Sequence, residues 1–352
     1  MTPELTIGSR KVGPGHPAYV IAELSANHGQ DFDQAVRIVR AMAAAGADAV
    51  KVQTYTADTL TIACDNEFFR IGGGTLWDGR TLHDLYQEAF MPWDWQPKLQ
   101  TVAKELGLDF FSTPFDASAV DFLEAMNVPC HKVASFELVD LPLLRKIAAT
   151  RKPVIASTGM ATQEEIAEAV KTLCDGGCTQ LALLKCTSAY PALTEEMHLR
   201  TIADMGARFG VPVGLSDHTM EHTVPVAAVA LGACIVEKHF TLLRATPGPD
   251  STFSLEPDEF KAMVAAIRTT EKALGRVNYE VSANEAKSRQ FRRSLFVVAD
   301  LKEGEPFTAQ NVRSIRPGHG LHTRHLAEVF GHKAARDVKR GTPLNWELVQ
   351  RT

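Results

Sequence analysis

The sequence predicts an α/β protein in which a (β/α)8 barrel is followed by a small β-rich domain. Three observations lead to this prediction: strand-like runs alternate with amphipathic helical stretches, the runs are apolar throughout, and a short repeat occupies the C-terminal part. The 352 residues are enough for one barrel of roughly 250 residues and one small domain. Hydrophobic residues make up 45% and charged residues 22% of the chain, which excludes disordered, collagen-like and coiled-coil proteins.

Eight short runs rich in β-forming residues supply the predicted strands of the barrel. They lie at 19–23, 49–53, 109–114, 131–135, 153–159, 181–188, 211–218 and 234–239. Between most of them lie amphipathic stretches such as 162–177, which opens with a Thr-x-x-Glu capping box and ends in glycine. Strands that alternate with helices form parallel sheets, and fully apolar strands are buried on both faces. Eight such units favour a closed barrel over an open sheet, and no GxGxxG follows the first run, which disfavours dinucleotide binding.

The stretch between the second and third runs is too long for a single helix. It includes residues 71–90, which are rich in glycine and contain Trp77. Because strand-to-helix loops lie on the active face of a barrel, we interpret this insertion as a lid or specificity loop. The alternative is that it only decorates the surface.

The C-terminal part predicts a second, different domain. We expect the barrel domain at 1–280, a linker at 281–292 and the small domain at 293–352. Within the small domain, residues 300–312 and 337–349 match at an offset of 37 residues, which indicates an internal duplication of a strand–turn unit. About 60 residues form a marginal core, so we expect this domain to dock against something larger.

Charge is spread unevenly along the chain. The net charge is −5, but residues from 291 onward contain eleven Lys/Arg and six Asp/Glu, so they carry +5 and the first 290 residues carry −10. A basic tail on an acidic body predicts contact with anions or with another subunit. The overall acidity, together with the lack of an aromatic-interleaved basic motif, argues against nucleic-acid binding.

The chain also has features that bear on its location. It has no run of about 18 apolar residues, so we expect no membrane span. The first twenty residues lack the basic start and apolar core of a signal peptide. The six cysteines show neither a disulfide framework nor a zinc pattern, so a reducing cytoplasm is the predicted location.

Polar residues at the strand ends are the candidate active site, because a barrel carries its chemistry at the carboxyl ends of its strands. The set comprises Glu23, Lys51, Gln53, Ser112, Thr113, Lys132, Ser135, Ser157, Thr158, Lys185, Thr187, Ser188, Ser216, Asp217, His218, Glu237, Lys238 and His239. Four lysines on one rim indicate an anionic ligand with phosphate or carboxylate groups. The serine and threonine hydroxyls would supply further hydrogen-bond donors.

Two histidines at the ends of the last two strands suggest a metal site. His218 and His239 would meet on one rim, and two imidazoles with open positions suit a divalent ion such as Mn, Fe, Co or Zn, which would polarise a carbonyl. Taken singly, each histidine is instead an acid/base group or a satisfied core residue. Glu23, Asp217 and Glu237 are candidates for acid/base work or for orienting the ligands.

The motifs at these positions resemble the sialic acid synthase family. They are IAELSANH (21–28), KVQTY (51–55), FFSTPFD (110–116), HKVAS (131–135), STGM (157–160), KCTSAYP (185–191), GLSDHT (214–219), EKHFTL (237–242) and GPDSTFSLEPDEF (248–260). The tail, with RPGHG at 316–320, is similar to the family's antifreeze-like (SAF) domain. The resemblance covers nearly the whole chain and implies a TIM barrel plus a SAF domain. It also implies condensation of phosphoenolpyruvate with a sugar aldehyde to a nine-carbon 2-keto sugar acid, in a domain-swapped homodimer.

The resemblance also implies roles for individual residues. Phosphoenolpyruvate would be bound by Lys51, Thr113, Lys132, Ser135, Ser157, Lys185, Ser188 and Ser216. The sugar would be bound by Gln53, Tyr190, Asp250, Phe253 and, from the partner's SAF domain, Arg316. His218 and His239 would hold Mn2+, with Mg2+ or Co2+ as alternatives. Glu23, Lys51 and Glu237 are the expected catalytic residues: Glu23 handles a proton and Glu237 orients a water molecule.

Within the family, several features favour the pseudaminic acid branch, whose sugar is 2,4-diacetamido-2,4,6-trideoxy-L-altrose. These features are the segment at 74–95, the STFSLEPDEF motif, and Ser188 where sialic acid synthases usually have asparagine. Phe253 and Trp77 would give the apolar surface that a 6-deoxy sugar needs. The N-acetylneuraminate and legionaminate branches are alternatives. Outside the family, a class I aldolase with a Schiff-base lysine and a sugar-binding scaffold without activity also remain.

Overall fold

The computed structural model describes residues 4–350, which divide into two compact units, one up to Gly275 and the other from Arg276. The strands are β1 (Leu5–Ile7), β2 (Arg10–Val12), β3 (Tyr19–Glu23), β4 (Ala49–Thr54), β5 (Asp109–Pro114), β6 (His131–Val133), β7 (Val154–Ser157), β8 (Leu181–Cys186), β9 (Val213–Asp217), β10 (Ile235–His239), β11 (Ser294–Val297), β12 (Val312–Ile315), β13 (Lys333–Ala334) and β14 (Val349–Gln350). The helices are α1 (Phe32–Ala44), α2 (Ala57–Leu60), α3 (Leu82–Ala89), α4 (Gln96–Glu105), α5 (Ala117–Ala125), α6 (Leu141–Ala149), α7 (Gln163–Asp175), α8 (Thr201–Phe209), α9 (Thr223–Ala230), α10 (Pro257–Leu274), α11 (Ala283–Ser288) and α12 (Leu326–Val329).

Eight parallel strands, β3 to β10, form a closed barrel in the first unit. All eight predicted runs are strands of this barrel, so the predicted fold is confirmed. The barrel closes where β10 pairs with β3, and this pairing places His239 opposite Glu23. Strands and helices alternate around the ring, and the capping box predicted at Thr162 and Glu165 begins α7.

Side-chain alternation along the strands divides the apolar core into an inner and an outer layer. Ile21, Phe111 and Leu184 belong to the cluster that fills the barrel interior. Their strand neighbours, including Val20 and Leu183, pack instead in the clusters beneath the helices. Because successive side chains of a strand point to opposite faces, the polar residues at the strand ends divide in the same way.

The insertion between β4 and β5 lies on the carboxyl side of β4 and contains two short helices, α2 and α3, before α4 resumes the barrel pattern. The Thr56 side chain accepts a hydrogen bond from Thr59 N at the start of α2, and Thr81 caps α3 in the same way. These caps satisfy donors that the first turn of a helix leaves open, so the insertion is locally ordered.

The second unit has a core of its own, which includes Leu295, Val297, Phe307 and Leu344. The duplicated segments pair with each other, since Leu301 and Val338, at equivalent positions of the repeat, exchange both backbone hydrogen bonds. The salt bridges between Lys302 and Asp337 (2.7 Å) and between Lys339 and Asp300 (2.8 Å) are likewise reciprocal. The predicted repeat is therefore a pair of matching halves.

Residues 276–292 are all exposed and contain α11. The linker that the sequence predicts at 281–292 lies in this stretch, and its proposed boundaries stay a prediction. Between residues 4 and 350, no helix is both long enough and apolar enough to cross a membrane.

Candidate active site

Four buried charged side chains meet at the carboxyl end of the barrel, and we call them the charged cluster: Glu23, Lys51, Lys132 and Glu237. Lys51 Nζ lies 2.5 Å from Glu23 Oε2 and 3.5 Å from Glu237 Oε1. Lys132 Nζ lies 3.9 Å from the same Glu237 oxygen. They come from β3, β4, β6 and β10, and each is at most 5% exposed. Charges are rarely buried unless they are paired, so each depends on its oppositely charged neighbours in the cluster.

The two carboxyl groups of the charged cluster differ in acidity. Burial raises the pKa of Glu23, aided by the negative charge of Glu237 and opposed by Lys51. Burial acts on Glu237 too, but the ammonium groups of Lys132 and Lys51 outweigh it and hold the pKa of Glu237 below its ordinary value. Two carboxyl groups whose environments separate their pKa values can act as a proton carrier and a fixed anion.

Hydroxyl groups surround the charged cluster on the neighbouring strands. Lys51 Nζ lies 3.3 Å from Thr113 Oγ1, and Lys132 Nζ donates to Ser157 Oγ at 2.6 Å. Ser216 Oγ donates to Glu237 Oε1 at 3.2 Å. Ammonium and hydroxyl donors on successive strands form a site suited to phosphate or carboxylate oxygens.

Ser135 and Ser188 lie at the edge of this set, with 2.9 Å between their hydroxyl oxygens. Their approach depends on Gly159, a residue that the sequence analysis did not single out. A Cβ atom there would lie 2.3 Å from Ser135 Cβ and 2.7 Å from Ser188 Oγ, and the backbone has a φ of +45°. The glycine of the STGM motif was the available signal.

Two of the four strand-end lysines do not join the charged cluster. The expectation that all four face one rim is wrong for Lys238, whose Nζ lies 2.5 Å from Asp217 Oδ2 in a fully buried pair behind the strands. Lys185 Nζ donates to the Cys186 carbonyl oxygen at 2.7 Å and to Thr187 Oγ1 at 3.1 Å. It follows Leu184 of the barrel interior, so alternation turns it outward, and its role in binding the anion stays a prediction.

His218 and His239 are brought together, with 5.4 Å between their ring centroids. His218 Nδ1 lies 2.9 Å from the Thr187 carbonyl oxygen, so that nitrogen carries a proton. Burial lowers the pKa of His218, but its hydrogen bonds to the Cys186 thiol and the Thr187 carbonyl oxygen outweigh burial and raise that pKa above its ordinary value. His239 Nδ1 is buried without a hydrogen-bond partner. Burial, together with the charge of His218, holds the pKa of His239 well below its ordinary value, so its imidazole is neutral. Neutral imidazoles are the form that binds a metal ion.

These two histidines fit a divalent metal ion that keeps several positions open. Within residues 4–350, no group of three or more His, Cys, Asp or Glu side chains is arranged to hold a metal ion. The protein would therefore contribute two ligands, and the other positions would fall to substrate and water.

A cavity of about 550 Å³ opens beside His239. Four of the five residues that the resemblance assigns to sugar binding line this cavity: Gln53, Tyr190, Asp250 and Phe253. The Asp250 carboxylate accepts hydrogen bonds from the Ser25 hydroxyl and from Ala26 N. Gln53 Nε2 donates to Glu23 Oε1 at 3.2 Å, which joins this cavity to the charged cluster.

The insertion supplies the outer wall of the cavity. Trp77 Nε1 donates to the Pro249 carbonyl oxygen at 3.1 Å, and its ring centroid lies 5.9 Å from that of Tyr190. Ile71, Leu82 and Leu85 extend this wall with apolar surface. The insertion is thus part of the cavity.

Glu137 is a cavity residue that the sequence analysis missed. Its Oε2 atom is buried without a hydrogen-bond partner, and burial raises its pKa to about 7. It lines the cavity just beyond the end of β6, two residues after Ser135. The list of candidates stopped at the strand ends, whereas this carboxyl group lies on the following turn.

Arg316, the remaining residue assigned to the sugar, belongs to the second unit. It lines an open groove of about 560 Å³ in that unit together with Arg292, Arg293 and Ser314. Three guanidinium groups around one groove give that face of the unit a strong positive charge.

Comparison with known proteins identifies the family. The NeuB family matches residues 38–279, and the SAF domain matches residues 292–350. Pseudaminic acid synthase of Campylobacter jejuni subsp. jejuni serotype O:2 is 44% identical over 326 residues, which cover 93% of this chain and 95% of that protein. Pseudaminic acid synthase of Helicobacter pylori is 42% identical over 337 residues, with coverage of 96% and 99%.

A solved structure agrees with both the fold and the family. The N-acetylneuraminic acid (sialic acid) synthetase of Leptospira borgpetersenii serovar Hardjo-bovis, in complex with citrate, superposes with a TM-score of 0.73 at 30% identity. The match covers 82% of this chain and 95% of that one. The resemblance drawn from the motifs is confirmed: the chain is an enzyme and belongs to the NeuB family, with a SAF domain at its C-terminal end.

Proposed function

We propose that the protein condenses phosphoenolpyruvate with the open-chain aldehyde of 2,4-diacetamido-2,4,6-trideoxy-L-altrose to give pseudaminic acid and phosphate. The observation that carries this proposal is the charged cluster, which lies between a set of hydroxyl donors and a cavity with an apolar outer wall. The relatives of 42–44% identity that bear the name pseudaminic acid synthase support the choice of product.

Phosphoenolpyruvate would bind through its phosphate and carboxylate groups to the ammonium and hydroxyl donors of the barrel end. Lys51 and Lys132 supply positive charge in a buried site, where charge-assisted hydrogen bonds are strong. Ser157 and Thr113 already lie within 3.3 Å of these ammonium groups. Ser135, Ser188 and Ser216 complete the proposed set of donors.

The sugar would lie in the adjoining cavity with its aldehyde toward the histidines. Gln53, Asp250 and Tyr190 offer polar groups to its hydroxyl and acetamido substituents. Ile71, Leu85 and Trp77 give the outer wall an apolar surface that suits the C6 methyl group of a 6-deoxy sugar. A hydroxyl group at C6 would lose its water there without gaining a hydrogen bond, which is unfavourable.

In the reaction, carbon 3 of phosphoenolpyruvate attacks the aldehyde carbon and forms the new carbon–carbon bond. Water adds to the resulting cation at carbon 2, and the tetrahedral intermediate expels phosphate by cleavage of its carbon–oxygen bond. Glu23 would carry the proton that the new hydroxyl group gains or that the attacking water loses, a role supported by the burial that favours its protonated form. Glu237 stays ionised beside the two lysines and orients water.

His218 and His239 would hold Mn2+, with Mg2+ or Co2+ as alternatives. When bound, such an ion polarises the aldehyde carbonyl. The chain's own contribution is to present the neutral imidazole of His239 and to fix the His218 ring by its hydrogen bond to the Thr187 carbonyl oxygen.

We also propose a cytoplasmic, domain-swapped homodimer in which Arg316 of one subunit reaches the sugar bound by the other. The six cysteines are all free thiols, which suits a reducing compartment. Val277 is 87% and Tyr279 is 95% exposed, and apolar side chains in such a position suit an interface between copies. Light scattering at micromolar concentration tests the dimer, and a monomer that retains full turnover would contradict it.

Phosphate release from phosphoenolpyruvate tests the function directly. We expect turnover with Mn2+ and the diacetamido-trideoxy-altrose, none with N-acetylmannosamine, and loss of activity in EDTA that Mn2+ restores. Turnover with N-acetylmannosamine or with the legionaminic acid precursor would reassign the substrate. Trapping of a lysine by borohydride in the presence of the carbonyl substrate would instead indicate a Schiff-base aldolase.

A further inference from the structure

A second buried charged pair lies behind the active site, on the outward side of β9 and β10. Lys238 Nζ is 2.5 Å from Asp217 Oδ2, and neither side chain has exposed surface. Lys238 Nζ also donates to the Thr219 carbonyl oxygen. The Asp217 carboxylate accepts from Thr219 N and Thr219 Oγ1, each at 3.0 Å. We call Asp217, Thr219 and Lys238 the outer clamp; none of them lines the cavity.

The outer clamp lies directly beside the two histidines in the chain. Asp217 and Lys238 are the last Cα partners of the β9–β10 ladder, so His218 and His239 follow immediately beyond its end. Side chains alternate along strands, so the clamp points outward while the histidines point toward the cavity. His218 therefore lies between two residues that Lys238 holds, and His239 is the next residue after Lys238.

Stability alone does not account for this pair. Two charges without exposed surface have lost their hydration, and replacing such pairs by apolar side chains is often neutral or stabilising. The bonds to Thr219 have a geometric effect instead: they tie the turn after β9 to β10, where the ladder hydrogen bonds have ended.

We propose that the outer clamp is a positioning device that fixes the separation of the His218 and His239 imidazoles, and thereby the affinity of the site for a divalent metal ion. The inference rests on the proposed metal site. The clamp residues do not line the cavity, and they act only through the backbone of the two histidines. Partners that orient metal ligands typically change metal affinity by about 10- to 100-fold when they are removed.

The test is Mn2+ binding to the metal-free, full-length double variant Asp217→Asn/Lys238→Met, followed by electron paramagnetic resonance. Both charges are removed together, so no unpaired charge is left buried, and the asparagine still accepts from Thr219 N. We expect the Kd for Mn2+ to rise about 10- to 100-fold and the spectrum of the bound ion to change. The affinity for phosphoenolpyruvate without metal should stay at the wild-type value.

A matched control removes a lysine–carboxylate pair elsewhere in the barrel. Lys152 Nζ lies 2.9 Å from Glu124 Oε1, close to the amino end of β6, where Glu124 also contacts His131. The variant Glu124→Gln/Lys152→Met should leave the Kd for Mn2+ unchanged. Thr219→Val, which removes a single hydrogen bond and no charge, should weaken Mn2+ binding in the same direction. If the double variant does not fold, Mn2+ binding by Thr219→Val decides whether the outer clamp has the proposed positioning role.

The outcomes separate this inference from the function it rests on. If the wild type binds Mn2+ and the clamp variants bind it equally well with the same spectrum, the positioning role is overturned while the metal site stands. If the wild type does not bind Mn2+, the proposed metal site fails and the inference fails with it.

Discussion

Lys132 is the residue that links the anion donors to the carboxylates of the charged cluster. Its Nζ lies 2.6 Å from Ser157 Oγ and 3.9 Å from Glu237 Oε1. We expect Lys132→Met to lower kcat/KM for phosphoenolpyruvate by about 100-fold, because two charge-assisted interactions are lost. Steady-state phosphate release measures this. Lys171→Met, on the exposed surface of α7, is the control, and equal losses in both variants would contradict the proposed role.

Gly159 permits a close approach that no other residue allows. We expect Gly159→Ala to abolish measurable phosphoenolpyruvate binding, because its Cβ atom would overlap Ser135 and Ser188. Gly210→Ala is matched in backbone strain: its φ is +63°, but nothing lies within 4 Å of an added Cβ. Each variant should lose about 1–2 kcal/mol of stability from the left-handed conformation. Isothermal titration with phosphoenolpyruvate distinguishes them, and similar affinities would refute the steric argument.

Glu137 gives stability a dependence on pH. Its pKa rises from an ordinary value of 4.5 to about 7 in the folded protein because it is buried. Protonated Glu137 therefore makes its full contribution to the free energy of unfolding below pH 4.5, and this contribution is lost as the pH rises through 7. Glu137→Gln should match the wild type near pH 4.5 and exceed it by at most about 3 kcal/mol above pH 7. Urea unfolding across this range provides the measurement, and a constant difference would exclude the assignment.

Alternation along a strand explains which site residues the sequence predicted well. Glu23, Lys51, Lys132 and Glu237 share the face of the barrel interior, and the structure brings them together. Lys238 lies one position from Glu237, and its distance from the strand end alone predicts the same rim for both. The two-residue period of a strand separates the four residues that face the barrel interior from Lys238, which faces outward. Glu137 and Gly159 lie on turns, whose conformation no period describes.

The insertion between β4 and β5 allows a test at the scale of one element. Trp77→Phe keeps an aromatic ring beside Tyr190 but removes the hydrogen bond to the Pro249 carbonyl oxygen. We expect the KM for the sugar to rise about tenfold, the effect of one lost hydrogen bond, while the KM for phosphoenolpyruvate stays constant. Trp93→Phe is the comparison: Trp93 does not itself line the cavity, and the change removes only its indole hydrogen bond to the Tyr55 carbonyl oxygen. If Trp77→Phe raises the KM for the sugar and the KM for phosphoenolpyruvate equally, the insertion does not select the sugar.

Among the described residues, each of the two units has hydrophobic clusters of its own, so we expect the units to unfold in separate transitions. Phe307 is 1% exposed in the core of the second unit. We expect Phe307→Ala to destabilise that unit by about 3–5 kcal/mol. In scanning calorimetry the unfolding temperature of the second unit should fall, while the barrel transition and Mn2+ binding should stay unchanged. A uniform shift of all transitions would show that the two cores unfold together.

At this scale the sequence predicted the architecture closely, because eight apolar runs with helical stretches between them leave few alternatives to a barrel. The internal repeat likewise predicted a β-rich tail, although the sequence alone did not show that its two copies pair through Leu301 and Val338. Such pairing joins segments distant in the chain, and local patterns carry no information about it.

The pairing of β3 with β10 has a consequence for how the enzyme assembles. Glu23 and His239 are Cα partners across this seam, so the first and last strands of the ring each provide part of the same site. A chain that has folded seven strands but not closed the ring has no complete site. Any ligand that contacts both strands therefore binds only the finished barrel and stabilises it by mass action. Amide hydrogens of these two strands should then exchange more slowly in the liganded enzyme, which makes occupancy of the site a reporter of ring closure.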